Sequence, residues 1–232
     1  MKRSYAKEMM DLPDQPRELL EQDLRNLRII NRRLGNYRNV VRGLTRLVET
    51  QQIDRFSLLD VGTGSGDIPA AIARWARRNG VAVRISALES EPVTVAQAAL
   101  QTRDFSEVTV VRGDGMAPPF HAASFDFVLA SQLLHHFSEE QIIRLLRIWS
   151  PLARRAIIVS DLVRHPLAYY GIRLLTKLFT RNAMTRTDAP LSVARAFTLA
   201  EWRALLREAD VGPFQIFSVF PFRVMALIFA KG

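Results

Sequence analysis

One stretch constrains this chain more than any other: "LLDVGTGSGDIPAA", residues 58–71, where a strand runs into three glycines in five positions and then into an acidic helix start. The segment Gly62-Thr63-Gly64-Ser65-Gly66 lets the backbone turn tightly and brings bare amides close to a ligand. Strand, glycine-rich turn and helix in this order open a βαβ unit, so a parallel sheet flanked by helices is expected. The same order offers amides and the positive end of a helix to an anionic or polar group.

The rest of the chain continues that rhythm. "VAVRISALE", "VTVVRGD", "FDFVLAS" and "RAIIVSD" read as the second to fifth strands, with helical patterns between them. Ser138 and Gln141 form a capping box ahead of "IIRLLRIW". "FQIFSVFPF" and "RVMALIFAKG" follow each other too closely for a helical crossover, so they are expected to pair as an antiparallel hairpin. The fold class is therefore α/β, a Rossmann-like doubly wound sheet. At 232 residues one domain is expected. Residues 1–54 read as an N-terminal helical cap, and residues 55–232 as the main domain. Within the latter, 163–195 is a lid-like insertion in which Leu167, Tyr170, Leu174, Leu175 and Leu178 make an apolar stripe and Tyr170 reads as a core residue.

Composition excludes some classes and leaves others open. Without cysteine there are no disulfides, thiolate metal sites or cysteine nucleophiles. No apolar run reaches bilayer-spanning length, and the basic start lacks the apolar segment of a signal peptide, so a cytoplasmic protein is expected. The net charge of +9 draws a protein to nucleic acid, an anionic membrane surface or acidic ligands, or reflects an arginine-rich solvated surface.

Two ligand classes compete for the glycine loop. Dinucleotide sites use G-x-G-x-x-G around a pyrophosphate, whereas here the spacing is G-x-G-x-G, and Asp67 stands where it would repel one. Glu89, at the carboxyl end of the second strand, suits the two hydroxyls of a ribose. Asp114, at the end of the third, suits an exocyclic adenine amine. Asp60 beneath the loop suits a cationic sulfonium that also carries an ammonium group. Together these describe S-adenosylmethionine better than NAD.

"LLDVGTGSGD", "ALES", "VVRGDGMAPPFHAASFDFVLASQLLHHF" and "FTLAEWRALLREAD" resemble the class I S-adenosylmethionine-dependent methyltransferases, in particular the ubiquinone and menaquinone methyltransferase-like branch, over roughly residues 55 to 232. The resemblance implies a seven-stranded sheet with an antiparallel last strand. It places the methionyl moiety of the cofactor S-adenosyl-L-methionine at Asp60, Gly62 and Gly64 and near Ser131, the ribose at Glu89, and the adenine at Asp114 and Gly115, with Gly66 a further cofactor-binding residue. "SPLARRA" departs from the proline- and glycine-rich turn usual before the fifth strand.

Methyl transfer to an activated carbon needs alignment and, for some acceptors, removal of a proton. His135 and His136 sit between the fourth strand and the cap at Ser138, where an imidazole could serve as catalytic base; His121 has no chemical role. No metal site is expected, because adjacent histidines without a third ligand nearby make a poor chelate. Arg164, His165 and Tyr169 are expected in the acceptor pocket. The expected acceptor is a small apolar or aromatic molecule, quinone- or polyketide-like, with an anionic membrane surface as a candidate partner. Methylation of RNA held on the basic surface is the alternative, and nucleic acid ranks below the small molecule as a partner.

Overall fold

The computed structural model describes residues 1–231. Strands β1 (Arg55–Val61), β2 (Ala82–Glu89), β3 (Val108–Arg112), β4 (Phe125–Ser131), β5 (Ala153–Leu162), β6 (Phe214–Val219) and β7 (Arg223–Phe229) form one sheet in the order β3-β2-β1-β4-β5-β7-β6. The first five are parallel, and β7 runs antiparallel between β5 and β6. The expected hairpin thus enters the sheet with its second strand innermost, because "RVMALIF" is apolar on both faces and β6 is not.

Helices cover both faces. On one, α5 (Glu139–Trp149) and α8 (Leu199–Ala209) bury Trp149, Leu146 and Trp202 against Val61, Val128 and Ala130. On the other, α2 (Asn36–Thr50) and α3 (Asp67–Asn79) bury Leu44, Leu47 and Ile72 against Leu58, Phe127 and Leu129. The helix α2 therefore belongs to the sheet's own layers, while α1 (Arg17–Arg33) crosses above the sheet edge. Between β2 and β3 lies α4 (Pro92–Thr102).

The chain leaves β1 toward β2 on one side and β4 toward β5 on the other. A crevice therefore opens over their carboxyl ends, the place where doubly wound sheets bind ligands. Over that crevice lie residues 1–16, α1, α6 (Pro166–Phe179) and α7 (Ala183–Arg195), which form a roof. Asn182 starts α7 by accepting the Thr185 amide at 2.8 Å, and this cap divides the insertion into two helices. In α6 the buried positions are Ile172 and Thr176. Leu174, Leu178 and Tyr170 point outward, and Tyr170 is 65% exposed rather than a core residue. Because α6 lies over a cavity instead of the sheet, its apolar stripe has no core to face.

Candidate active site

A cavity of about 850 Å³ fills the crevice. Its polar end is the turn after β1. Gly62, Gly64 and Gly66 all adopt positive φ, which closes the turn onto the first helical turn of α3. A side chain at Gly62 would strike Leu133, but a Cβ at Gly64 would meet no protein atom within 4 Å: that position faces open space in which a ligand can press on the backbone. The Gly64 amide donates to Glu89 Oε2 at 3.0 Å, and the Ser90 and Glu91 amides donate to Oε1 at 2.8 and 3.2 Å. Burial raises the pKa of Glu89 despite these bonds. The carboxylate keeps acceptor capacity on the cavity side, as binding of a vicinal diol needs. Asp114 accepts the Met116 amide at 2.8 Å through one oxygen, and Trp149 Nε1 donates to the Gly115 carbonyl at 2.9 Å, so this loop is fixed at the cavity wall. Asn36 bridges Ser131 Oγ (3.1 Å) and Ser160 Oγ (3.3 Å), which ties α2 to the ends of β4 and β5.

His135 and His136 also line the cavity, on a short 3-10 turn after β4. Each is held by a carboxylate: His135 Nδ1 lies 2.7 Å from Asp161 Oδ1, and His136 Nδ1 lies 2.8 Å from Asp11 Oδ2. Burial acts to raise the pKa of both carboxyls, but the imidazole contacts outweigh it and each is held below its ordinary value. Both Nε2 atoms face Glu8, at 3.7 and 3.9 Å, and burial pushes the Glu8 carboxyl up to about 7. Arg195 closes this cluster from behind by donating to the carbonyls of Ala6, His135 and His136.

Residues 58–155, which span the glycine turn, Glu89, Asp114 and the histidine pair, match the family model for a methyltransferase domain. Over that span, less than half of its length, the chain matches a methyltransferase domain. No curated protein sequence matches it. Among solved structures it resembles a proposed O-methyltransferase from Nostoc punctiforme PCC 73102 (TM-score 0.65, 18% identity), covering 99% of this chain and 64% of that one. It also resembles an S-adenosylmethionine-dependent methyltransferase from Aquifex aeolicus (TM-score 0.65, 15% identity, 90% and 98% covered). A third match is the magnesium protoporphyrin IX methyltransferase of Synechocystis PCC 6803 with bound S-adenosylhomocysteine (TM-score 0.59, 16% identity, 86% and 84% covered). The fold is that of the S-adenosylmethionine-dependent methyltransferases.

Within the methyltransferase fold, Gly62, Gly64, Glu89, Asp114, Gly115, Ser131, His135 and His136 all line the cavity. Five other expected site residues lie off its wall. Asp60 is buried beneath the glycine turn, where it accepts the Thr63 hydroxyl at 2.6 Å, so it braces the loop. Gly66 packs against Ala98 and Thr102 of α4, where any side chain would collide. Arg164 pairs with Glu201 at 2.5 Å and donates to the Ala196 carbonyl. His165 caps α6 by accepting the Leu167 amide, and its ring stacks on Phe222. Tyr169 packs on Tyr170 and with the buried Ile172, Ala189 and Val193. The methyltransferase site in turn contains groups the sequence reading missed: Glu8, Asp11, Asp161, Asn36 and Arg195. Of these only Asp161 carried a local signal, as an acidic residue at the carboxyl end of a central strand. Glu8 supplies the third potential ligand that the histidine pair lacks in sequence.

Proposed function

We propose that this chain transfers the methyl group of S-adenosylmethionine to a small, largely apolar or aromatic acceptor of the quinone- or polyketide-like kind. On the motifs "LLDVGTGSGD" and "LLHHF" it lies nearest the ubiquinone and menaquinone methyltransferase branch. The observation that carries the reading is the mixed lining of the cavity: the glycine turn with Glu89 and Asp114, the apolar Leu27, Ile30, Leu34 and Val193, and the Glu8, His135 and His136 cluster. An apolar wall takes a greasy ring, while a single polar cluster orients its reactive atom.

When bound, the donor supplies an electrophilic methyl on a sulfonium. The protein's part is alignment and activation. Gly64 lets the donor approach the backbone, Glu89 accepts from the ribose, and Asp114 accepts from the adenine amine. The Glu8, His135 and His136 cluster activates the acceptor by favouring loss of its proton, and Asp161 and Asp11 hold the two rings in place. The magnesium protoporphyrin IX methyltransferase, whose fold this chain shares, also takes a large ring system as acceptor, which supports the apolar reading.

The outer face of α6 adds a partner. Leu167, Leu174, Leu178 and Phe179 are 59–81% exposed, Phe220 at the hairpin tip is 81% exposed, and Arg173, Lys177 and Arg181 lie among them. Apolar side chains interleaved with cations suit an anionic membrane surface, and Leu175 of the same helix lines the cavity. No described helix is long and apolar enough to cross a membrane.

The test is methyl-tritiated donor with purified protein and an extract of the source cells. Label is expected in the organic phase; label in nuclease-sensitive precipitate would contradict the acceptor class. Sedimentation of the same protein with anionic vesicles is expected at low salt and lost at high salt, and absence of binding at low salt would remove the membrane partner.

A further inference from the structure

The two histidines of the cluster do not simply hydrogen-bond to Glu8. Carboxylates only accept, so Asp161 and Asp11 fix a proton on Nδ1 of His135 and His136, and the neutral form of each ring then has its free lone pair on Nε2, the nitrogen nearest Glu8. A carboxylate behind each imidazole is the arrangement that orients histidine ligands toward a metal. The separations from Glu8, 3.7 Å to His135 Nε2 and 3.9 Å to His136 Nε2, are too long for hydrogen bonds. They approach the spacing of donors around an ion, since bonds of ~2.0–2.1 Å at tetrahedral angles set donors about 3.4 Å apart. One donor atom from each of the three residues lies within 4.8 Å of the others.

Glu8 itself calls for a cation. It is 1% exposed, and its Oε1 has no hydrogen-bond partner. Arg195 Nε is 3.7 Å from that oxygen, but its guanidinium donates to three backbone carbonyls instead. Four carboxylates meet here, Glu8, Asp11, Asp161 and Asp188, whereas the nearby guanidinium groups are those of Arg195 and Arg223. A divalent ion would balance that excess. All three donor residues line the cavity, where an acceptor could reach an ion held between them.

We propose that Glu8, His135 and His136 form a site for a divalent transition-metal ion of the zinc class, with the acceptor's oxygen completing its coordination. Two imidazoles and one carboxylate suit such ions better than magnesium or calcium, which take oxygen ligands. The proposal deepens the functional reading and rests on it in one respect: the ion would be the means by which the cluster promotes loss of the acceptor's proton.

Full-length protein dialysed against a chelator would be titrated with Co²⁺ and followed by visible absorption, with Zn²⁺ as competitor. A saturable one-to-one spectrum, bleached by Zn²⁺ and weakened more than about tenfold in Glu8→Gln, is expected. Thermal unfolding of the variant checks that it folds, and the wild-type titration stands without it. No saturable spectrum in the wild-type protein, or equal affinity in Glu8→Gln, would overturn the site. If no ion binds but His136→Ala abolishes methyl transfer, the site proposal falls and the activation reading stands. If the ion binds and its removal leaves transfer unchanged, the site stands and activation through it falls.

Discussion

Across the sheet, Leu58, Phe127, Trp149 and Trp202 are buried in two continuous apolar clusters, whereas over the cavity α1 and α7 meet largely through polar side chains. There Thr185 Oγ1 donates to Asp23 Oδ1 at 2.5 Å, Asn26 donates to Thr180 and Thr185 at 2.9 Å, and Asn182 donates to the Leu19 carbonyl at 3.0 Å. The apolar clusters of the roof are small, Leu20, Leu24 and Met184 in one, Ile172, Ala189 and Val193 in the other. Apolar burial is nondirectional and sums over area, but buried hydrogen bonds are worth about 1 kcal/mol each and depend on geometry. The sheet is therefore a fixed platform, and the roof is a part that can open below the free energy of global unfolding. Such opening of residues 1–16, α1, α6 and α7 would ease the entry of an acceptor and the exit of a product.

The largest break in this comparison is Trp149→Ala. The side chain is completely buried, spans the sheet face, and holds the Gly115 carbonyl, so its loss is expected to cost about 3–5 kcal/mol of global stability in urea unfolding. Thr185→Val should act on the roof instead. It leaves buried Asp23 without its donor, and amide exchange in α1 and α7 should report opening easier by about 1–3 kcal/mol, with exchange in β1 and β4 unchanged. Equal loss of protection in β1 would show that roof and sheet unfold as one unit.

A pH effect sharpens the same contrast. Burial pushes Asp23 up to about 6, above its ordinary 3.8, so the folded roof holds this proton more tightly than the open chain does. Its stabilising contribution is complete below the ordinary value and is lost as pH rises through about 6. Asp23 should contribute about 1 kcal/mol to the fall in protection of α1 and α7 between pH 5 and 7, and Asp23→Asn should remove that part and leave the part due to Glu8. An unchanged slope in the variant would assign the pH dependence to another group.

Legibility in the sequence follows the same division. The strands, the glycine turn and the Ser138 capping box are local devices: period-two and period-3.6 patterns, positive-φ glycines, a side chain bonding three residues away. Hence Gly62, Gly64, Glu89 and Asp114 could be located from spacing alone. Glu8 and Asp11 reach the histidines across more than 120 residues of chain, and nothing in "EMMD" marks them. Periodicity likewise showed that α6 has an apolar face but not that the face looks outward, since a stripe does not state what covers it. Arg164 and His165 stood at the right sheet edge, yet a cap and an ion pair hold both away from the cavity.

The central claim is that the glycine turn holds the methyl donor. A calorimetric titration of S-adenosylhomocysteine into wild-type protein and Gly64→Ala tests it most directly, because the added methyl meets no protein atom and stands in the space assigned to the ligand. Binding to the wild type, weakened at least about tenfold in the variant while its unfolding free energy in urea falls by no more than the ~1–2 kcal/mol that alanine costs at positive φ, is the expected result. No heat of binding in the wild type, or the same affinity in both proteins, would contradict the account.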